Sequence, residues 1–197
     1  MSGTNQETAA PVRLSLGTLA ALFAFTAVML SICDGFHTYS GTTRYTHEVA
    51  WKAAWWTPMN FGLAGAVGGP LYAFFYSTFG GRRVPPSLVK LAPGFVAFGA
   101  LYYFSGFYKG PNEVKLAVLG GSAAVLFAVY DRTVAGFLCL LITSATGPII
   151  EIIFVKLELF LHLQPDFLGV PMWLPALYAC SAPVIGQGCR RVLCRSA

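Results

Sequence analysis

The chain has 197 residues, of which 56% are hydrophobic and 11% charged, with a net charge of +5 and a mean hydropathy of +0.63. Water-soluble domains carry roughly 25% charged residues, so this composition excludes a water-soluble domain and describes a membrane chain. Crossing a hydrocarbon core about 30 Å thick takes about 20 apolar residues per helix, which leaves little sequence for a soluble module.

Six apolar stretches follow one another: Leu14–Cys33, Trp55–Phe79, Lys90–Tyr108, Val114–Tyr130, Val134–Phe160 and Met172–Leu193. A backbone surrounded by lipid must satisfy its own hydrogen bonds, so the stretches are predicted to be helices whatever their Val, Phe and Tyr content. The fold class is therefore all-α, a polytopic bundle of six transmembrane helices. It comprises a short N-terminal segment (1–13), the membrane domain (14–193) and a C-terminal tail (194–197). Pro70, Pro93, Pro148 and Pro183 fall inside these stretches and are expected to kink the helices without ending the spans. The first stretch is too long for a signal-peptide core, and bulky Ile32 stands where a cleavage site wants a small residue.

In this plan Arg13, Arg82, Arg83, Lys90, Arg132, Arg190, Arg191 and Arg195 share one face. Arg44, Lys52, Lys109, Lys115 and Lys156 lie towards the other. The excess places both termini in the cytoplasm, and topology accounts for the positive charge without nucleic acid as a partner.

Candidate functional positions are few. In "RYTHEVAWKAAWWTP", Val49, Ala53 and Trp56 recur at helical steps, predicting an interfacial helix that sets Trp51, Trp55 and Trp56 at headgroup level. Asn60 then precedes "GLAGAVGGP", where Gly65 and Gly69 have the spacing of close helix packing and also offer a smooth wall to a flat lipid. "YDRT" is a tight cytoplasmic turn. Arg132 suits a headgroup anchor, whereas Asp131 suits either a local cap or ion pair, or a group that docks a partner. In the fifth stretch Glu151 stands roughly 25 Å from the cytoplasmic end at 1.5 Å per residue, with Ser144 and Pro148 nearby. An ionisable group at that depth points to a functional site, paired or facing a cavity, unless it snorkels outwards beside Lys156. Asn60, Gly65, Gly69, Ser144, Pro148 and Glu151 are thus the candidate lipid-binding residues, in a cavity between the second and fifth helices.

The remaining chemistry is sparse. Cys33, Cys139, Cys180, Cys189 and Cys194 form no C-x-x-C pair and read as packing residues, with palmitoylation of Cys189 or Cys194 as an option. His37, His47 and His162 are expected outside the helices, with no metal-ligand spacing. No nucleophile elbow, zinc-protease motif or histidine box appears, so no catalytic residue, metal or cofactor is expected. A small transporter or channel with Glu151 as its proton or ion site is the alternative from another class.

Several motifs then occur in a telling order: "AWWTP" with Gly62 four residues after Pro58, "YDRTVAGF" (Asp131, Arg132, Gly136, Phe137), "QPDFLGVPMWLPALY" (Pro165, Asp166, Trp173, Pro175) and "IGQGCRR". In that order they resemble the insulin-induced gene (Insig) family of membrane regulators over roughly residues 14–193. The resemblance implies a non-catalytic sensor that holds a sterol, typically an oxysterol, within its helix bundle. Such a sensor binds membrane partners, the escort protein Scap or a sterol-synthesising reductase, in the endoplasmic reticulum. It also implies that Asp131 helps grip Scap. Thr133, Val134 and Ala135 depart from the family's "DRSRSG", and Phe127 and Ala128 from its paired Trp. A prokaryotic relative in a cell membrane, binding a neutral lipid such as diacylglycerol, has the same features. A homo-oligomer is compatible with either.

Overall fold

The computed structural model describes residues 14–79 and 86–195. Arg13, Arg82 and Arg83 of the orientation count, and the segment 1–13, lie outside them. Five helices lead the chain: α1 (Leu16–Ser40), α2 (Thr57–Phe79), α3 (Leu88–Phe107), α4 (Asn112–Tyr130) and α5 (Val134–Lys156). Of these α1, α3, α4 and α5 are each long and apolar enough to cross a membrane. The last apolar stretch divides into α6 (Leu174–Ser181), a single π-helical turn (Ala182–Gly186) and α7 (Gln187–Arg195). Pro183 has no N–H to give, and the wider turn absorbs the missing bond so that the helix runs on.

Helix boundaries follow capping chemistry. Ser15 accepts from the Thr18 N–H at 3.1 Å to start α1. Thr133 accepts from the Gly136 N–H at 3.0 Å to start α5. Helix α1 continues past the predicted end at Cys33 to Ser40, where Gly41 adopts the left-handed conformation (φ 72°) that stops it. That extension puts His37 inside a helix, against expectation.

The bundle is organised around its C-terminal segment. Trp173, Leu174, Leu177, Cys180, Val184 and Leu193 are all buried and form one cluster with Leu22, Phe98 and Leu119. A helix buried on all sides is central. Helices α4 and α5 pack on α6, and α1 packs along α2. At the α1–α2 contact a Cβ on Gly62 would meet Phe23, and one on Gly65 would meet Thr26.

The helical bundle carries one addition, a short ribbon, and the interfacial helix is corrected. Strands β1 (Thr43–Tyr45) and β2 (Phe160–His162) pair antiparallel, Thr43 with His162, Arg44 with Leu161 and Tyr45 with Phe160. The ribbon ties the α1–α2 connection to the α5–α6 connection. Between β1 and α2 the chain is a tight loop and not a helix, because Trp51 and Lys52 sit at φ 51° and 59°. The Ala53 N–H closes this loop on the Ala50 carbonyl, and the Thr38 hydroxyl holds the Trp51 carbonyl at 3.0 Å. Trp51 and Trp55 are exposed there, whereas Trp56 turns inwards onto Tyr45 and Phe154.

Candidate ligand cavity and the polar knot of the α4–α5 turn

Beneath the ribbon lies a cavity of about 30 Å³ among α1, α2, α5 and α6, lined in part by Asp34, Tyr45, Asn60, Glu151 and Tyr178. Glu151 is clamped from two sides. The Tyr178 hydroxyl donates to Oε1 at 2.6 Å, and His162 Nε2 lies 2.7 Å from Oε2. The paired alternative therefore describes this carboxylate, and the partners are a strand histidine and an α6 phenol, not Lys156. Across the cavity the Tyr45 hydroxyl donates to Asp34 Oδ2 at 2.9 Å. Burial, with the Asp34 carboxylate alongside, raises the Tyr45 phenol above its ordinary range, so it remains a donor. One floor thus carries two carboxylates held by phenols, an arrangement suited to orienting a single small hydroxyl-bearing group.

Of the candidate lipid residues, the structure brings Asn60 and Glu151 onto this cavity and leaves the other four elsewhere. Gly65 faces Thr26, and Gly69 faces Leu22 and Cys189, so both serve helix packing. Ser144 donates to the Pro175 carbonyl at 3.0 Å, and Pro148 is buried in α5 next to Gly147, which abuts the Tyr178 ring. Those residues join α5 to α6. Asp34, Tyr45, His162 and Tyr178 were missed in sequence because each gains meaning only through contacts between distant segments.

The α4–α5 turn holds a second polar cluster. Asp131 is not at the surface, as a docking carboxylate would be; it is 1% exposed. Its carboxylate accepts from the Tyr72 hydroxyl, from Tyr76 at 2.5 Å, and from the Thr133 hydroxyl and N–H. Gln187 Nε2 approaches Oδ2 at 3.3 Å and donates to the Tyr76 oxygen at 2.7 Å. The Arg190 guanidinium covers the Tyr76 ring at 4.0 Å. Room for the carboxylate comes from Gly136, where a Cβ would collide with it. Arg132 beside it is exposed, at φ 63°, with its Nε donating to the Ala128 carbonyl. The two neighbours therefore face opposite ways: Asp131 joins α2, the α4–α5 turn and α7, and Arg132 meets the surroundings.

The "QPDFLGVPMWLPALY" stretch forms a third anchor, at the ribbon end. Asp166 Oδ2 accepts from Asn112 Nδ2 and from the Met172 N–H, both at 2.8 Å, and the Trp173 indole donates to Asn112 Oδ1 at 3.0 Å. These bonds seat the start of α6 on the start of α4. The cysteines are packing residues as expected. Cys33, Cys139, Cys180 and Cys189 are buried, which removes Cys189 as a palmitoylation site, and Cys194 is partly exposed.

No family model matches the chain. The chain is 26% identical over 174 residues to the Insulin-induced gene 1 protein of Danio rerio, covering 84% of this chain and 68% of that protein. It is 25% identical to the Mus musculus protein of the same name, covering 84% and 66%. The chain thus spans about two thirds of the length of these relatives. Among solved structures, the mycobacterial Insig homolog MvINS from Mycobacterium vanbaalenii superposes with a TM-score of 0.80 at 24% identity, covering 94% of this chain and 98% of that one. A cross-linked MvINS trimer gives 0.78. The same helical membrane fold is present, and the resemblance first carried by the motifs extends over most of the chain.

Proposed function

From a chain that is Insig-like in both sequence and fold, we propose a non-catalytic membrane regulator that binds a sterol or a diacylglycerol-like lipid and acts on lipid metabolism through membrane protein partners. In this reading the bundle crosses the bilayer six times, α2 and the α6–α7 unit included, with both termini cytoplasmic. The membrane is the endoplasmic reticulum in a eukaryotic host, with Scap-like or reductase-like partners, and the cell membrane in a prokaryote.

The observation that carries the ligand reading is the convergence of Asn60, Glu151, Asp34 and Tyr45 on one cavity. Ligand pockets that enclose a whole molecule run to about 300 Å³ or more, so a volume of about 30 Å³ suits a polar head alone. The apolar body of the lipid then rests on the bilayer-facing sides of α2 and α5, where Met59, Leu63, Ile150 and Ile153 are exposed. The partner surface is the exposed side of the cytoplasmic turn around Arg132, with Asp131 as a positioning residue beneath it. The cross-linked MvINS trimer supports homo-oligomerisation as part of the same picture. The partly buried Glu151–His162 pair is the one observation favouring a transporter, as a proton site.

Photo-crosslinking with sterol and diacylglycerol probes, joined to mass spectrometry of co-purifying lipid, tests the proposal. Labelling is expected on α2 and α5, reduced about tenfold in Glu151→Gln and in Asn60→Leu by loss of a hydrogen bond to the head. Labelling confined to α3 and α4, or unchanged in both variants, overturns the placement. Proton uptake by vesicles containing the protein, abolished in Glu151→Gln, would favour transport instead.

A further inference from the structure

A second cavity, of about 180 Å³, opens beside the first at the ribbon end, lined by Lys109, Lys115, His162, Thr42, Asn112 and Trp173 among others. That volume is several times what one water occupies. Lys115 is 2% exposed. Among the described residues its ammonium has no carboxylate within ion-pair range, and its contact is the Trp173 ring at 5.0 Å. A buried ammonium is costly unless paired and hydrogen-bonded, and a cation–π contact supplies only part of that compensation.

The surroundings repeat the shortage of acceptors. His162 is 5% exposed. Its Nε2 is committed to Glu151, and its Nδ1 is buried with no partner. Nδ1 is thus a buried polar atom left in want of a hydrogen-bond partner. Lys109 donates to the carbonyls of Ser40 and Gly106 at 2.9 and 3.1 Å, which leaves one of its three N–H groups to give. The Asp166 carboxylate, whose Oδ2 holds Asn112 and the Met172 N–H, does not line the cavity.

We propose that this cavity is a binding site for an oxyanion of the phosphate type, held by Lys115 and Lys109, with His162 Nδ1 as a further polar contact. Phosphate oxygens accept several charge-assisted hydrogen bonds at once, which is what this donor-rich, acceptor-poor cavity lacks. Two sources present that chemistry at this level: the phosphodiester of an anionic phospholipid and free inorganic phosphate. Both lysines lie at the end of the bundle opposite the Asp131 turn, so the lipid source belongs to the leaflet on that side. The site is separate from the proposed sterol or diacylglycerol head site and stands whether or not that reading holds.

The test places the full chain in nanodiscs of phosphatidylcholine alone or with added phosphatidylglycerol. Thermal unfolding and native mass spectrometry of retained lipid are measured, and inorganic phosphate is titrated into the phosphatidylcholine discs. A stabilising shift and selective retention of phosphatidylglycerol identify the lipid headgroup, whereas a shift with phosphate in phosphatidylcholine discs identifies the free anion. In either case the preference is expected to fall about tenfold in Lys115→Met, which keeps the stem on Trp173 and removes the charge. Neither preference in the wild type, or an equal preference in Lys115→Met, overturns the site. If Lys115→Met does not fold, Lys109→Met takes its place under the same criterion.

Discussion

Asp131 and Arg132 are adjacent in sequence and opposite in role, because a turn of left-handed backbone at Arg132 directs one side chain inwards and the other outwards. Two donors from α2, the hydroxyls of Tyr72 and Tyr76, depend on one carboxylate, and the Gln187 amide, bonded to the Tyr76 oxygen at 2.7 Å, reaches it as well. Removing it strands the two phenols in a buried site, where each unsatisfied group costs about 1–3 kcal/mol. Asp131→Ala is therefore expected to destabilise the fold by about 3 kcal/mol, and Asp131→Asn by less, since its carbonyl still accepts. Thermal unfolding in mild detergent ranks them. If Asp131→Ala unfolds at the wild-type temperature, the carboxylate is not structural. Sequence could single out Asp131 and Glu151, because an acid within or between apolar runs stands out. It could not say which way either faces, since Tyr72, Gln187, His162 and Tyr178 are brought to them only by folding.

At the scale of elements, the helices were legible because the bilayer leaves the backbone few alternatives, and starts such as Ser15 and Thr133 follow ordinary capping. The ribbon was not legible. Strands of three residues carry too little alternation to register, and their partners are separated by the greater part of the chain. The glycines of α2 illustrate a finer limit. The spacing from Gly65 to Gly69 reads as packing, but which glycine is indispensable depends on what stands opposite. A Cβ at Gly65 would drive into Thr26, while one at Gly68 would meet nothing within 4 Å. Gly65→Ala is expected to destabilise by about 1–3 kcal/mol through overpacking, and Gly68→Ala to be neutral or mildly stabilising through helix propensity. Unfolding midpoints of the two variants decide this, and equal midpoints would show that the α1–α2 interface yields to the methyl group.

For the whole molecule, the fold is Insig-like, with its most buried element at the C-terminal end of the chain. Four of the five thiols are enclosed, and Cys194 is partly exposed next to the basic end of α7, so one native cysteine reports orientation. A membrane-impermeant maleimide added to sealed vesicles is expected to label Cys194 from the cytoplasmic face alone and to leave the other thiols unlabelled until the protein unfolds. Labelling from the opposite face would invert the proposed topology. The position of Gln187 also bears on how the protein is made. Ribosomes deliver the chain from its amino end at about 5–20 residues per second, so Tyr72 and Tyr76 enter the bilayer first, Asp131 next, and Gln187 and Arg190 last. Until α7 arrives the Asp131 carboxylate lacks part of its enclosure and has reason to stay among the headgroups. Synthesis of α7 thus completes the knot, and a nascent protein released before Gln187 presents an unfinished acidic turn to whatever surveys the membrane for incomplete products.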